Sequence, residues 1–549
     1  MAFDLLIRGG RILDGTGNPW YAGDVGIQGE RIAAMGNLSG AEAATTLDAR
    51  GLAVSPGFID LHSHSDFVLP LQEHPRILEP FIRQGITTLV TGNCGFSPAP
   101  LSRQNLHLLQ LYSGMLQGGE LSWEWESMGQ FLDTLERQGV ALNVANLVPH
   151  GGLRIAVMGF EARAPQPAEM AQMKDLLRRS LDEGGWGMST GLMYPPGMFS
   201  DTDELLALNE VLAERGGLYT CHTRGLGEIL PSGVREVVKV GERLQIPVQV
   251  SHLVCMGQEN WSKLGPTFEL MERARERGVD IAFDLFPYIA GNTTFMAIYP
   301  PWSLDGGMPA LLERLTDPQA LERIRTDMEE VVPGWPTWLP GAWSDNIVRS
   351  CGWEKIRLMW LDSAKNQPLE GKSVAQIARE RGQDPFETAV SLTLEEEGRI
   401  AMLIFGLSGD EEGEEWLQRT LRHPLAAFET DALLTGRGLP HPAAYGTCPR
   451  ILGRYVRELK LLSLEEAVRR MTSFPAQRLG IKDRGVLREG AYADLVLFDP
   501  ATVADRATYA DPCQFPVGIE RVLINGKPVV EPGVYQGGLR AGRVLRRGA

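Results

Sequence analysis

The chain has 549 residues, of which 43% are hydrophobic and 22% are charged. This ordinary globular composition excludes a mainly disordered, collagenous or fibrous protein. The length corresponds to one large, elaborated domain or to about two to three domains. The formal net charge of −16 argues against nucleic acid or an anionic membrane as the main partner.

The sequence has no recognisable targeting segment. Its first residues lack a basic stretch followed by an apolar one, and no run of about 18 apolar residues occurs, so we expect neither a signal peptide nor a transmembrane helix. The six cysteines lie far apart and contain no CxxC pair. They are therefore predicted to be reduced thiols of a cytoplasmic protein rather than a disulfide framework.

The two ends of the chain differ in pattern from its middle. Residues 1–55 and 476–549 alternate short β-rich runs with glycine turns, so we predict that they join into one small β-sandwich domain. Residues 56–475 hold short apolar runs separated by helix-length segments, which is typical of βα units with a parallel sheet. Eight such units predict an α/β protein with a (β/α)8 TIM barrel. The runs span residues 57–64, 85–95, 141–150, 185–192, 218–225, 248–255, 280–288 and 426–432.

A long insertion, residues 290–425, separates the seventh run from the eighth. Insertions at that end of a barrel strand lie over the catalytic face. Two interpretations stay open: a satellite core that needs its own aromatic residues, or an aromatic-lined lid over the substrate. The insertion holds seven of the chain's 12 tryptophans, among them Trp302, Trp335, Trp338, Trp343, Trp353 and Trp360.

Residues suited to metal binding lie at the C-terminal ends of the predicted barrel strands, where TIM-barrel active sites are built. Because side chains alternate along a strand, His62 and His64 share one face. Imidazole, thiolate and carboxylate groups together favour Zn²⁺, so we predict a zinc site there. The strand-end residues are His62, His64, Cys94, His150, His222, His252 and Asp431.

Several segments resemble those of a known enzyme family. The motif PGFID (56–60) before His-x-His is the strand-one signature of the amidohydrolase superfamily. The resemblance is closer to the N-acyl-D-amino-acid deacylase (D-aminoacylase) family, and it runs from residue 4 to about 526, being weakest over 300–420. It implies a TIM barrel with a small β-sandwich, and zinc-dependent hydrolysis of an amide bond. The segments that carry it are GITTLVTGNCGFSPAP, GMSTGLMYPPGMFS, HPAAYGTCPRILGRYVRE, LSLEEAVRRMTSFPAQRLGIKDRG and GAYADLVLFDP.

The resemblance also implies a role for each of these strand-end residues except His150. The ligands implied for a tight zinc are Cys94, His222 and His252, and those implied for a second, weaker metal position are His62 and His64. Asp431 would be the general acid/base, which takes a proton from the attacking water and gives it to the leaving nitrogen. A competing role stays open for Cys94, that of the nucleophile in a Cys-His hydrolase.

Further residues are predicted to contact the substrate. Tyr194 lies in TGLMYPP (190–196), a family segment, and Asn292 lies in AGNTT (290–294), where the family has a polar AGS stretch. His150 has two open roles, a hydrogen bond to the substrate or support of its strand end.

One position departs from the family pattern. Family members commonly have, after a His-Pro pair, an arginine that binds the free carboxylate of the substrate, but here that residue is Ala443. Alanine cannot replace a bidentate arginine–carboxylate contact. Either Arg437 or Arg224 takes over, or the substrate lacks that carboxylate. We therefore predict a small-molecule amide with an aromatic or apolar part as the substrate.

Two other functions stay open. A cyclic amide or imide hydrolase of the same superfamily would combine the same metal site with a different pocket. A non-catalytic metal-binding scaffold would hold metal without turnover, although the full ligand set together with Asp431 argues against it. The acyl group, the amine, the number of functional metals and the oligomeric state are not determined by the sequence.

Overall fold

The structure, a computed structural model, describes residues 2–330, 334, 343 and 345–548. Its strands are β1 (Phe3–Ile12), β2 (Tyr21–Gln28), β3 (Arg31–Gly36), β4 (Ala43–Asp48), β5 (Ala53–Pro56), β6 (Phe58–Asp60), β7 (Ile86–Thr91), β8 (Asn143–Asn146), β9 (Val148–Pro149), β10 (Gly187–Gly191), β11 (Leu218–His222), β12 (Val248–Val250), β13 (Ile281–Leu285), β14 (Ala290–Thr294), β15 (Ile356–Leu361), β16 (Ile400–Phe405), β17 (Ala426–Phe428), β18 (Leu495–Phe498), β19 (Ile519–Ile524) and β20 (Lys527–Val530). Its α-helices are α1 (His74–Ile77), α2 (Glu79–Arg83), α3 (Leu106–Tyr112), α4 (Met128–Gln138), α5 (His150–Met158), α6 (Pro167–Asp182), α7 (Thr202–Arg215), α8 (Leu230–Leu244), α9 (Leu264–Glu276), α10 (Gly307–Arg314), α11 (Pro318–Glu329), α12 (Ile347–Cys351), α13 (Val374–Arg381), α14 (Pro385–Glu395), α15 (Glu415–Arg422), α16 (Ala443–Arg450), α17 (Leu464–Met471) and α18 (Ser473–Leu479).

Parallel strands close into a barrel at the centre of the molecule. One sheet has the order β6-β7-β8 and a second has the order β17-β13-β12-β11-β10-β9. The short strands β8 and β9 are separated only by Leu147, so together they form one barrel strand that joins the two sheets. Between β17 and β6 the circle is completed where Asp431 N donates to His62 O (3.0 Å) and Ser63 pairs with Ala432. Within the described residues this makes the eight parallel strands of the predicted TIM barrel.

Local sequence signals explain where the elements of the barrel lie. Strands such as β7 (ITTLVT) and β13 (IAFDL) are buried along their whole length, because helices cover the outside of a parallel barrel and side chains fill its inside. Helix α4 begins after Ser127, which forms a reciprocal capping box with Gln130. Asp201 caps α7 by accepting a hydrogen bond from the Glu204 backbone (2.8 Å).

The two ends of the chain form one mixed β-sheet. In the described part of the chain its order is β20-β19-β18-β5-β1-β2-β3, and β4 also pairs with β1, along its first residues, whereas β5 pairs with its last two. Strands from residues 3–56 therefore lie beside strands from residues 495–530. Some apolar side chains of this sheet, among them Ile7, Val25 and Leu495, form a core of their own, whereas others, such as Val496 and Phe498, belong to the core of the barrel.

The insertion has a sheet of its own, with the antiparallel order β14-β16-β15. Trp343 and Trp360 are buried, whereas Trp302 and Trp353 are half-buried and donate to Asp327 (2.6 Å) and Glu329 (3.3 Å). Trp335 and Trp338 lie outside the described residues. These four tryptophans thus pack within the insertion or on its surface, which supports the satellite-core interpretation for them.

Candidate metal centre

The residues predicted to bind metal meet at the C-terminal mouth of the barrel. They are His62 and His64 after β6, Cys94 after β7, His222 at the end of β11, His252 after β12 and Asp431 after β17. All six are buried. Their donor atoms form three overlapping groups, each with all atoms within 4.8 Å of one another: His62–His64–Cys94, Cys94–His222–His252 and His62–His252–Asp431.

The first of two neighbouring donor sets centres on Cys94. Its Sγ lies 3.5 Å from His252 Nε2 and 3.8 Å from His222 Nδ1. The loop that carries Cys94 approaches β10 closely, since a Cβ at Gly191 would lie 2.0 Å from Cys94 O. A side chain at position 191 would therefore push Cys94 away from the two histidines.

The second donor set shares Cys94 with the first. His62 Nε2 lies 3.2 Å from Cys94 Sγ and 3.4 Å from Asp431 Oδ1, and His64 Nε2 lies 3.3 Å from the same carboxylate oxygen. Cys94 and Asp431 are thus placed between two candidate metal positions.

Three of these residues have a backbone conformation that residues other than glycine rarely adopt. The φ angles of Cys94, His252 and Asp431 are 51°, 33° and 45°, in the left-handed region. Such a residue costs on the order of 1–3 kcal/mol and persists only where its surroundings enforce it, typically at functional sites.

The electrostatics of the site favour a thiolate. Burial opposes ionisation of Cys94, but the neighbouring His62, His252 and His222 outweigh it and lower the pKa of the thiol well below its usual value. By contrast, burial raises the pKa of Cys221 and of Cys255 to about 12. Cys94 therefore has the chemistry of a metal ligand, which Cys221 and Cys255 lack.

The pKa shifts of His222 and Asp431 are consistent with this assignment. Burial and the nearby His252 lower the pKa of His222, which keeps its imidazole in the neutral form that binds metals. Burial works against ionisation of Asp431, yet His62, His252 and His64 lower the pKa of its carboxyl. One thiolate and two imidazoles leave a fourth position open, as in catalytic zinc sites, so the donor set fits zinc.

Two carboxylates that the sequence analysis did not single out support the ligands. Asp284 Oδ1 accepts a hydrogen bond from His252 N (2.7 Å) and lies 3.3 Å from His62 Nδ1. Asp60 accepts from Thr430 N (3.0 Å) and Thr430 Oγ1 (2.7 Å), one residue before Asp431. The sequence did contain a signal for both residues. Each is the single carboxylate of an otherwise apolar barrel strand, and a buried carboxylate must find hydrogen-bond partners.

Next to the metal residues lies a small cavity, which is mostly apolar. Tyr194 and Asn292, both predicted to contact the substrate, line it. Tyr194 packs on the ring of His222, with centroids 4.9 Å apart, and its hydroxyl group lies 2.8 Å from Thr293 Oγ1. The apolar side chains that line the cavity are Met193, Leu226, Val254, Met256, Phe286, Ile404 and Leu407.

Three further residues predicted to contact substrate do not line this cavity. His150 Nε2 lies 2.8 Å from Glu204 Oε1, in a fully buried cluster, which favours its role as support of the strand end. Arg224 is paired with Glu236 (2.8 Å) and donates to the backbone of the loop that carries Tyr194. Arg437 is exposed and lies over the ring of Trp360, in a separate groove. A buried guanidinium needs a fixed partner, which Glu236 supplies for Arg224.

A cluster of histidine, cysteine and aspartate at the C-terminal mouth of a TIM barrel defines a metal-dependent hydrolase of the kind built on that fold. The chain belongs to the amidohydrolase family, whose sequence profile matches residues 45–295 and 364–530. The predicted family, fold class and class of enzyme are thereby confirmed.

Relatives match the chain along its whole length. It is 36% identical to a D-aminoacylase of Alcaligenes xylosoxydans xylosoxydans over 100% of this chain and 98% of the relative. The crystal structure of N-acyl-D-glutamate deacylase from Bordetella bronchiseptica, complexed with zinc and a phosphonate mimic of the tetrahedral intermediate, has a TM-score of 0.80 at 34% identity, covering 100% of both chains. A D-aminoacylase structure concerned with one-metal activation and second-metal attenuation in a binuclear centre has a TM-score of 0.81 at 33% identity, covering 99% of this chain and 100% of that one.

No helix within the described residues is both long and apolar enough to cross a membrane.

Proposed function

We propose that this chain hydrolyses the carbon–nitrogen bond of a small-molecule amide, an N-acyl amino acid or a related compound, with zinc as its cofactor. The observation that carries the proposal is the convergence of Cys94, His222 and His252 beside the carboxylate of Asp431. The whole-length similarity to deacylases, one of which was solved with zinc, supports the same activity.

Cys94, His222 and His252 would hold one tight zinc, and His62 and His64 would border a second, weaker metal position. Zinc bound there would lower the pKa of a water molecule towards neutrality and polarise the carbonyl group of the substrate. The position of Cys94 between imidazoles suits a ligand better than a nucleophile.

Asp431 is the proton carrier in this proposal. Its Oδ1 lies 3.3 Å from His64 and 3.4 Å from His62, and these contacts hold the carboxylate at the edge of both metal positions. The lowered pKa keeps Asp431 ionised, so it can accept a proton from the attacking water. The same oxygen then donates that proton to the nitrogen of the leaving amine.

The cavity supports a substrate with an apolar part and without a free carboxylate next to the scissile amide. Among its described lining residues there is no arginine or lysine. Ala443 is fully buried at the start of α16, and neither Arg224 nor Arg437 lines the cavity. A carboxylate placed there would lose its hydration without gaining a cationic partner.

The insertion contributes to this cavity through aliphatic side chains. Ile404 lies in β16 and Leu407 just after it, and both line the cavity. The cavity has a volume of about 40 Å³, far below the range of about 300–1,000 Å³ typical of ligand pockets. Entry of an amide therefore requires side chains that line the cavity to move.

Release of free amine by the zinc-loaded protein tests the activity. The panel consists of N-acyl amino acids of both configurations, neutral N-acyl amines and a hydantoin. We expect turnover of linear amides, and loss of that turnover in Cys94→Ala with the fold preserved by circular dichroism. Turnover of the hydantoin alone, or full activity in Cys94→Ala, would contradict the proposal.

A further inference from the structure

We infer that Asp284 is a positioning residue that joins the two candidate metal positions, because one buried carboxylate orients a histidine of each. The inference rests on the zinc site proposed above. It concerns the residues behind the ligands rather than the ligands themselves.

Asp284 is buried in β13, and hydrogen-bond donors surround its carboxylate. Oδ1 accepts from His252 N (2.7 Å) and lies 3.3 Å from His62 Nδ1, while Oδ2 accepts from Gln249 Nε2 (2.9 Å). The main-chain oxygen of Asp284 accepts from Leu253 N (2.8 Å). A strand residue with these contacts reaches ligand histidines from two other barrel strands.

The contact with His62 decides which ring nitrogen faces the metal. A carboxylate beside Nδ1 favours the tautomer that carries its proton on Nδ1, and it makes the opposite nitrogen more basic. That opposite nitrogen, Nε2, is the one that lies 3.2 Å from Cys94 Sγ. Asp284 thereby leaves Nε2 of His62 free of a proton, so that this nitrogen can bind a metal at the weaker position.

The contact with His252 acts through the backbone. His252 has a φ of 33°, which a histidine adopts only under constraint. Its N–H donates to the Asp284 side chain, and the next N–H, of Leu253, donates to the Asp284 main chain. These two bonds fix the turn that directs His252 Nε2 towards Cys94, and so they serve the tighter position.

The far side of the carboxylate is itself held in place. Gln249 accepts a hydrogen bond from Arg478 Nε (3.1 Å), and Arg478 also donates to Val248 O (2.8 Å). Arg478 lies in α18, the helix that follows the barrel and precedes the C-terminal strands. The amide of Gln249 is therefore oriented so that its NH₂ group points at Asp284.

The test is to measure the zinc affinities of matched variants. Calorimetry and chelator competition, both started from metal-free protein, give these affinities. Asp284→Asn keeps an oxygen for His252 N but removes the charge beside His62. We expect it to weaken the second position by about 10–100-fold, the usual cost of losing such a partner, and to leave the first unchanged. Asp284→Ala removes both contacts and should weaken both positions.

Asp345→Asn is the matched control, because Asp345 is also buried and accepts from a backbone N–H, that of Leu226 (2.8 Å). We expect both affinities to be unchanged in this variant. Binding of a single zinc by the wild type, or equal affinities in Asp284→Asn and Asp345→Asn, would overturn the inference. Zinc retained by Cys94→Ala would instead refute the ligand set proposed above, so the two failures are distinguishable.

A measurement on the unmodified sequence covers the case in which the variants fold poorly. The chain has nine histidines, few enough for selective ¹⁵N labelling. In the zinc-loaded protein we expect His62 to carry its proton on Nδ1. A spectrum with the proton of His62 on Nε2 would show that Asp284 does not set its tautomer.

Discussion

The side-chain amide of Asn292 forms two hydrogen bonds to the backbone that directly follows the Asp431 side chain. Asn292 Nδ2 donates to Asp431 O (2.6 Å), and Asn292 Oδ1 accepts from Leu433 N (3.1 Å). Because Asp431 has a φ of 45°, this turn needs outside support, and Asn292 supplies it from β14, the first strand of the insertion. The insertion thus helps to set the orientation of the proposed proton carrier.

We expect Asn292→Ala to lower kcat about 10–100-fold, since losing hydrogen bonds of this kind costs about 1–3 kcal/mol. Zinc content should stay at the wild-type level, because Asn292 touches none of the proposed zinc ligands of the tight position. The decisive measurement is a double-mutant cycle with Asp431→Asn. If Asn292 acts through Asp431, its removal has no further effect in that background, whereas an equal loss in both backgrounds would exclude this role.

Metal content should separate the two donor sets. Cys94→Ala, His222→Ala and His252→Ala are each expected to lose the tight zinc and the activity together, because three donors are the minimum for such a site. His62→Ala should retain about one equivalent of zinc and lose only the second position. Elemental analysis of the purified variants checks this. Full zinc content in the first three variants would rule out the ligand assignment.

Asp431→Asn should retain zinc and the fold and lose kcat by about 10²–10⁴-fold, which is the usual contribution of a general acid–base group. The amide has nearly the shape of the carboxylate but cannot carry a proton between water and nitrogen. Steady-state kinetics with zinc measured in the same sample provides the test. A kcat within a few fold of the wild type would remove Asp431 from the mechanism.

Most of the site follows from chain order alone. Once eight βα units are recognised, His62, Cys94, His222 and Asp431 must meet, because all parallel strands of a barrel end at one face. His62 and His64 do reach the same carboxylate, that of Asp431, but β6 ends at Asp60, so the loop after the strand places them rather than strand alternation. The fold class was predictable for the same reason, as apolar runs and helix-length spacers specify the barrel without any distant contact.

The supporting contacts could not be predicted, because they depend on packing between distant segments. Arg224 lies two residues after His222, but β11 ends at His222, so strand alternation no longer applies and the guanidinium meets Glu236 of α8. Asn292 was expected to contact the substrate, and it lines the cavity, but nothing in the sequence indicated that its amide also bonds to backbone 139 and 141 residues further along the chain.

The two arginines considered as carboxylate partners should behave differently when removed. Arg224→Ala leaves Glu236 buried without its guanidinium, and breaking a buried ion pair typically costs about 3–5 kcal/mol of the free energy of unfolding. Arg437 is exposed, so Arg437→Ala should change that free energy by less than about 0.5 kcal/mol and leave kcat/KM unaltered. Urea unfolding and kinetics on both variants test this. A selective loss of carboxylate substrates in Arg437→Ala would restore its role in binding.

The substrate preference follows from the lining of the cavity. In matched amides that differ only by a carboxylate next to the scissile nitrogen, we expect the neutral compound to have the higher kcat/KM, by about tenfold or more. Moving a carboxylate from water to an apolar site without a cationic partner costs several kcal/mol, of which part is recovered if the group stays partly hydrated. Val254 and Phe286, which line the cavity, favour an aliphatic or aromatic group in the same place. A tenfold preference for the carboxylate form, unchanged in Arg224→Lys and Arg437→Ala, would mean that another cation reaches the substrate once the side chains that line the cavity have moved.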